Sequence, residues 1–232
     1  PIINKPCEIA ILYNMLKGRI KLYNFTIKSD QDPVELTTKC NDIFYNNVLT
    51  DIVASYVAFR ADNDYDKLLK MVFQDKIKIE NEVHFDLHRN TSPISEKLYG
   101  KPQIRASYSF MINRGDLLRV AVSMMKDYQN KTCVGNYLRD IQKQAKSWPK
   151  YRPSKKNASL YLHNYAKKYG GKFYFKFNQM EDRNIMATEG YNGQNIMIDM
   201  DNSKIVVTQS AATAWDQRTF ILNVIRYGKL PK

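Results

Sequence analysis

Apolar side chains recur at helical spacing early in the chain, at Ile9, Leu12, Tyr13 and Leu16 within residues 6–22, with Gly18 near the C-terminal side. A polar stretch from Lys28 to Asp42 follows. Asn47 is placed to cap a second helix, whose apolar positions Val48, Leu49, Ile52, Val53, Tyr56, Val57 and Phe59 form a broad buried face. The pattern predicts a further helix over Tyr65 to Phe73, then a loop containing Asn90, Ser92, Pro93 and Gly100. The clearest helical stripe spans Asn113 to Tyr128, where Leu117, Val120, Ala121, Met124, Met125 and Tyr128 share one side and Asp116 sits in the first turn. Ser147 to Asn157 is rich in Pro, Lys and Ser and reads as a linker.

From Gly170 the period changes to that of strands: Phe173 to Phe177, Asn184 to Thr188, Asn195 to Met200 and Lys204 to Gln209. Asp201-Asn202-Ser203 joins the last two as a hairpin turn. An amphipathic helix from about Trp215 to Tyr227 closes the pattern, with Trp215 read as core. The expected fold class is therefore α+β: a mainly helical region, an antiparallel sheet and a packed C-terminal helix.

With 232 residues, 44% of them hydrophobic and 12% aromatic, the chain can bury a substantial core. No apolar run approaches the ~20 residues of a membrane-spanning helix. The net charge of +13 is spread along the whole length rather than massed in one arm, so it reads as a solvated basic surface and not as a nucleic-acid interface. The three cysteines (Cys7, Cys40, Cys133) have no metal spacing and cannot pair completely. His84 and His88 would share one side of a helix, but Pro93 follows soon after and no Glu lies between them, so no metal and no cofactor is expected. The start at Pro1 rather than Met reads as an incomplete N-terminus, which leaves periplasm and cytoplasm both open.

Four segments carry a resemblance. Phe44-Tyr45-Asn46-Asn47 leads into Val48-Leu49-Thr50-Asp51-Ile52; Asn113-Arg114-Gly115-Asp116-Leu117-Leu118-Arg119-Val120-Ala121 opens the striped helix; Glu189-Gly190-Tyr191-Asn192-Gly193-Gln194 enters the strand Asn195-Ile196-Met197-Ile198-Asp199; and Lys204 to Thr208 forms the next one. In this order they resemble the C-terminal two-thirds of the beta-lactamase and penicillin-binding-protein-like serine hydrolases, class C type. The resemblance covers residues 39–232, divided into a helical region (39–169) and a sheet with its closing helix (170–232). Residues 1–38 match poorly. It implies an ester, amide or peptide-like small-molecule substrate and an acyl-serine intermediate, on a sheet whose first strands are missing here. A sheet shortened in that way would expose an edge and lose stability.

Acyl transfer of this type needs a serine at a helix start with a lysine one turn later, so that the amine accepts the hydroxyl proton. The resemblance assigns the proton shuttle to Tyr45, substrate positioning to Asn47, and the oxyanion-side strand and turn to Ala187, Thr188, Gly190, Gly193 and Gln194. A turn needing positive φ would by itself account for Gly190 and Gly193, and a bond across the turn for Gln194. The strand before the turn, Ile185-Met186-Ala187-Thr188, lacks the family's Lys or His.

The nucleophile is also missing. Ser123-Met124-Met125-Lys126 falls opposite the apolar stripe and should face water. Ser147-Trp148-Pro149-Lys150 contains a proline that disfavours the required helix. Lys5 stands where the motif lysine is expected, but Ile2 occupies the place of the serine. Two readings follow: a serine hydrolase fragment lacking its nucleophile, or an inactive relative serving as a binding or scaffold module.

Overall fold

The computed structural model describes residues 64–85, 110–148, 161–211 and 215–228. The chain divides into two compact units, Pro1–Lys70 with Val83–Met111, and Met71–Glu82 with Ile112–Lys232. In the first unit, Asp64 caps helix α1 (Tyr65–Leu69) by accepting from the Lys67 N–H at 2.9 Å. Strands β1 (His84–Phe85) and β2 (Phe110–Met111) pair as a short antiparallel ribbon. His84 is thus in a strand and not a helix, which removes the shared helical face with His88; His88 itself lies outside the described residues. The helix expected over Tyr65 to Phe73 is present as α1, followed in the chain by π-helical turns over Lys70–Ile77.

The second unit is built on a six-stranded antiparallel meander. Its strands are β3 (Lys146–Ser147), β4 (Ala166–Gly170), β5 (Phe173–Phe177), β6 (Ile185–Gly190), β7 (Gln194–Asp199) and β8 (Lys204–Thr208), paired in chain order. Register is fixed by cross-strand pairs such as Tyr174↔Ala187, Ala187↔Met197 and Met197↔Val206, all of them buried.

Helix α2 (Arg114–Gln129) begins where the Asn113 side chain accepts the Asp116 N–H at 2.8 Å. Lys131 then takes a left-handed φ of 54°, and Thr132 caps α3 (Cys133–Gln144). The two helices cross so closely at Gly135 that a Cβ there would lie 1.9 Å from the Asp127 carbonyl oxygen, so only glycine fits. Ala121 and Tyr128 of α2 and Leu138 and Ile141 of α3 pack with Phe175, Met186, Ile196 and Ile198, which share one face of the sheet. Helix α4 (Gln217–Tyr227), capped by Asp216 and ended by Gly228 in the left-handed region, packs on β7 and β8 and buries Ile221 and Ile225. Each such aliphatic side chain contributes roughly 1.5–3 kcal/mol.

The fold class is α+β with an antiparallel sheet, as expected. Helix α4 starts at Gln217 rather than Trp215 because Asp216 is its cap. Strand β6 runs two residues past its expected end, because its ladder to β7 continues through Glu189↔Asn195 and Gly190↔Gln194. Among the described residues no helix is long and apolar enough to cross a membrane.

Candidate functional site

The hairpin β6–β7 holds all the expected site residues that the structure describes. Its turn puts Asn192 at φ 60° and Gly193 at φ 92°. Asn tolerates the left-handed region better than most side chains, and Gly193 is required twice over. A Cβ on it would lie 2.6 Å from Trp215 Nε1. Gly190 differs from expectation. Its φ is not positive; what it avoids is the opposite strand, since a Cβ would approach the Gln194 Cβ to 2.9 Å.

The turn is tied down from behind. Thr208 Oγ1 donates to the Gly193 carbonyl at 2.9 Å, and Asn195 Nδ2 donates to Thr208 Oγ1 and to Gln217 Oε1, both at 3.1 Å. Gln194 Nε2 donates to the Ser210 carbonyl at 2.7 Å, so its role is to bind the hairpin to the segment after β8. Trp215 is half-buried against Gly193 and edge-on to Phe220, which agrees with a packing role. Ala187 is fully buried, which leaves only its backbone for a ligand. Thr188 is half-buried.

One asymmetry sets this end of the sheet apart. Pairing between β5 and β6 stops at Tyr174↔Ala187, whereas pairing between β6 and β7 continues to Gly190. Thr188, Glu189 and Gly190 therefore project beyond the β5 ladder.

Glu189, on this projection, supplies a feature that sequence reasoning missed. Its side chain is 5% exposed and accepts the Leu162 N–H at 3.2 Å, the His163 N–H at 2.8 Å and His163 Nδ1 at 2.8 Å. It thereby satisfies the opening N–H groups of a 3₁₀ turn, Leu162–Tyr165, whose own cap residue Tyr161 does not cap it through its side chain. The His163 ring stacks on Tyr161 (centroids 5.6 Å) and on Tyr174 (5.9 Å) and stands edge-on to Trp148 (6.4 Å). Trp148 Nε1 is a buried donor without an acceptor among the described residues. No spacing rule joins residues 26 positions apart, so the pair was not legible. The only local signal was a lone acidic residue directly before the glycine of the motif.

Tyr45, Asn47 and Lys5 lie outside the described residues. Of the two literal Ser-x-x-Lys matches, Lys126 is exposed on α2 as expected, while Ser123 is half-buried. Ser147 is in strand β3 rather than at a helix start, and Lys150 is outside the described residues. No group of three or more His, Cys, Asp or Glu suited to a metal ion occurs among the described residues. No family model, curated protein or solved structure matches the chain.

Proposed function

We propose that the chain is a beta-lactamase-related serine hydrolase domain whose projecting β6 end forms the ligand-binding wall for a small ester, amide or peptide-like molecule. The observation that carries this reading is the early end of the β5–β6 ladder, which leaves Thr188 to Gly190 at the segment the resemblance assigns to substrate. Strand backbone beyond its ladder can pair with an extended ligand. The order of the four motif segments supports the same reading. In it, Tyr45 is the proton shuttle and Asn47 a positioning group, with acyl transfer through a serine.

A specific observation favours a second reading, an inactive relative that binds without turnover. Neither Ser123-x-x-Lys126, whose lysine faces solvent, nor Ser147-x-x-Lys150, whose serine sits in a strand, has the helical one-turn geometry at a buried site. Intact-mass measurement of the chain after exposure to a fluorophosphonate and to a penicillin separates the two. An adduct mapped to a serine supports acyl transfer. No adduct, but saturable stabilisation of the fold by an ester or amide series, supports the binding module. Neither adduct nor binding would overturn both.

A further inference from the structure

The two ends of the six-stranded sheet are finished differently. At one end β3 is two residues long, and Lys146 and Ser147 are both exposed, a short charged edge of the kind that resists further pairing. At the other end β8 runs for five residues, Lys204-Ile205-Val206-Val207-Thr208, and among the described residues it pairs with β7 alone. After Lys204 every residue is β-branched, and neither proline nor charge interrupts the run. Its outer row of backbone groups is a template for another strand.

Helix α2 lies along this edge strand. Gln209 Nε2, just past β8, donates to the Ile112 carbonyl at 2.8 Å, just before the helix starts. Gln129 Nε2, at the helix end, donates to the Met200 carbonyl at 2.7 Å and to Ser203 Oγ at 3.0 Å, just before β8 begins. The helix is thus pinned at both ends of β8 and runs antiparallel to it. Leu118, Val122, Met125 and Gln129 follow one another at helical spacing, and the Gln129–Ser203 bond turns this flank towards β8. Leu118 is exposed, and Val122 and Met125 are half-buried, so an apolar stripe runs beside the unpaired edge.

We propose that β8 is a dimerisation edge whose occupant is β8 of a second copy of this chain, paired antiparallel about a two-fold axis at Val206. An axis perpendicular to the sheet makes two identical edges antiparallel and closes the assembly at two copies. In that register Val206 faces the partner's Val206, Ile205 faces the partner's Val207, and Lys204 faces the partner's Thr208. No like charges meet, and the central pairs join β-branched side chains. Pairing with the partner's β3 would instead set this strand against a two-residue edge that carries a lysine. The two-fold axis also brings both α2 flanks to the same face of the joined sheet. The interface does not use the β6 end, so it stands or falls apart from the hydrolase reading.

Analytical ultracentrifugation of the full chain should show a monomer–dimer equilibrium that moves to dimer with concentration. Added salt should tighten it, because each copy carries a net charge of +13 and no ion pair crosses the edge. In the wild type, amide exchange over Lys204–Thr208 should slow as the dimer forms, while that of β3 stays unchanged. Ile205→Lys and Val207→Glu each set an unpaired charge against an apolar neighbour and should weaken the dimer about tenfold or more. Mixing the two variants should recover association. The axis then sets the introduced lysine against the introduced carboxylate and leaves Val207 facing the partner's Ile205 at the other crossing. Misfolded chains would give no such rescue, and the wild-type exchange measurement needs no variant at all. A monomer at every concentration would overturn the proposal. So would a dimer with unchanged β8 exchange, a dimer that salt weakens, or a mixture of folded variants no tighter than either alone.

Discussion

The guanidinium of Arg183 closes on the carboxylate of Asp199, which is fully buried, through Nε at 2.7 Å and through Nη2. The same Nη2 donates to the Ile225 carbonyl at 2.9 Å, near the end of α4 where the helix presents its negative pole. Asp199 also accepts from the Asn202 N–H and side chain, fixing the β7–β8 turn. One ion pair thus joins the lead-in to β6, the end of β7 and the last turn of α4. Replacing Asp199 with Ala leaves the largely buried Arg183 cation without its carboxylate and should cost about 3 kcal/mol or more by urea denaturation. A cycle with Arg183→Met should show strong coupling; additive losses would mean the two side chains act independently. Burial pushes the Asp199 carboxyl up, but the Asn202 and Arg183 bonds outweigh it and hold it below the ordinary range. The pair's contribution is therefore present above pH ~4 and fades as pH falls through the lower folded value.

Asp116 is the second acid-sensitive point. Burial raises its pKa, yet the Glu80 N–H (2.8 Å), both donors of Asn81 (3.0 and 2.9 Å) and Asn113 Nδ2 (2.6 Å) bring it down to about 2 from the ordinary 3.8. Arg119 adds a contact at 3.0 Å. Because the folded value is depressed, the stabilisation holds above the unfolded value and is lost as pH drops from ~4 towards ~2. Asp116→Asn should cost about 2 kcal/mol at neutral pH. The gap to wild type should shrink across that acid window. A gap that stays constant would show that the carboxylate charge contributes nothing.

The Asp116 helix was plain in the sequence because one apolar stripe, an Asn cap and an early acidic residue all agree. Strands β5 to β8 were legible for the same reason, with runs of β-branched and aromatic residues broken by turn chemistry. Helix α3 was missed: its stripe is narrow, Val134 is exposed, and Gly135 looks like a breaker until the close crossing with Asp127 explains it. Strand β4 was missed because Lys167 and Lys168 are both exposed between buried Ala166 and Tyr169, which breaks the two-residue alternation. Of the candidate site, the turn and the positive φ of Gly193 were readable, whereas Gly190 is held by its close approach to Gln194 and not by φ. The His163–Glu189 pair was not, since it depends on how a 3₁₀ turn meets a strand end.

Tyr128, Gln142 and Asn184 form a closed ring of hydrogen bonds. Tyr128 Oη donates to Gln142 Oε1 (2.8 Å), Gln142 Nε2 to Asn184 Oδ1 (2.6 Å), and Asn184 Nδ2 back to Tyr128 Oη (2.9 Å). Removing the hydroxyl strands a donor and an acceptor together, so Tyr128→Phe should cost about 1–3 kcal/mol. The Arg139 guanidinium lies 3.9 Å from the centre of the Tyr128 aromatic ring, a cation–π contact that the Phe variant keeps. Tyr128→Leu should therefore be clearly worse than Tyr128→Phe in thermal unfolding. Equal losses would place the whole effect in the hydroxyl.

The two glycines of the hairpin should respond differently to alanine, because different physics holds each. At Gly190 the backbone is ordinary and only the approach to Gln194 resists a methyl group. At Gly193 a left-handed φ and the Trp215 ring both resist it, and the ring contact lies at the indole nitrogen. Gly193→Ala should thus cost about 2–3 kcal/mol and Gly190→Ala less. The chain has two tryptophans, so a Trp148→Phe background isolates the emission of Trp215. In that background Gly193→Ala should shift the emission to the red as the indole is pushed towards water, while Gly190→Ala leaves it in place. If both variants lose the same stability with unchanged emission, the Gly193–Trp215 contact does not set the shape of the turn.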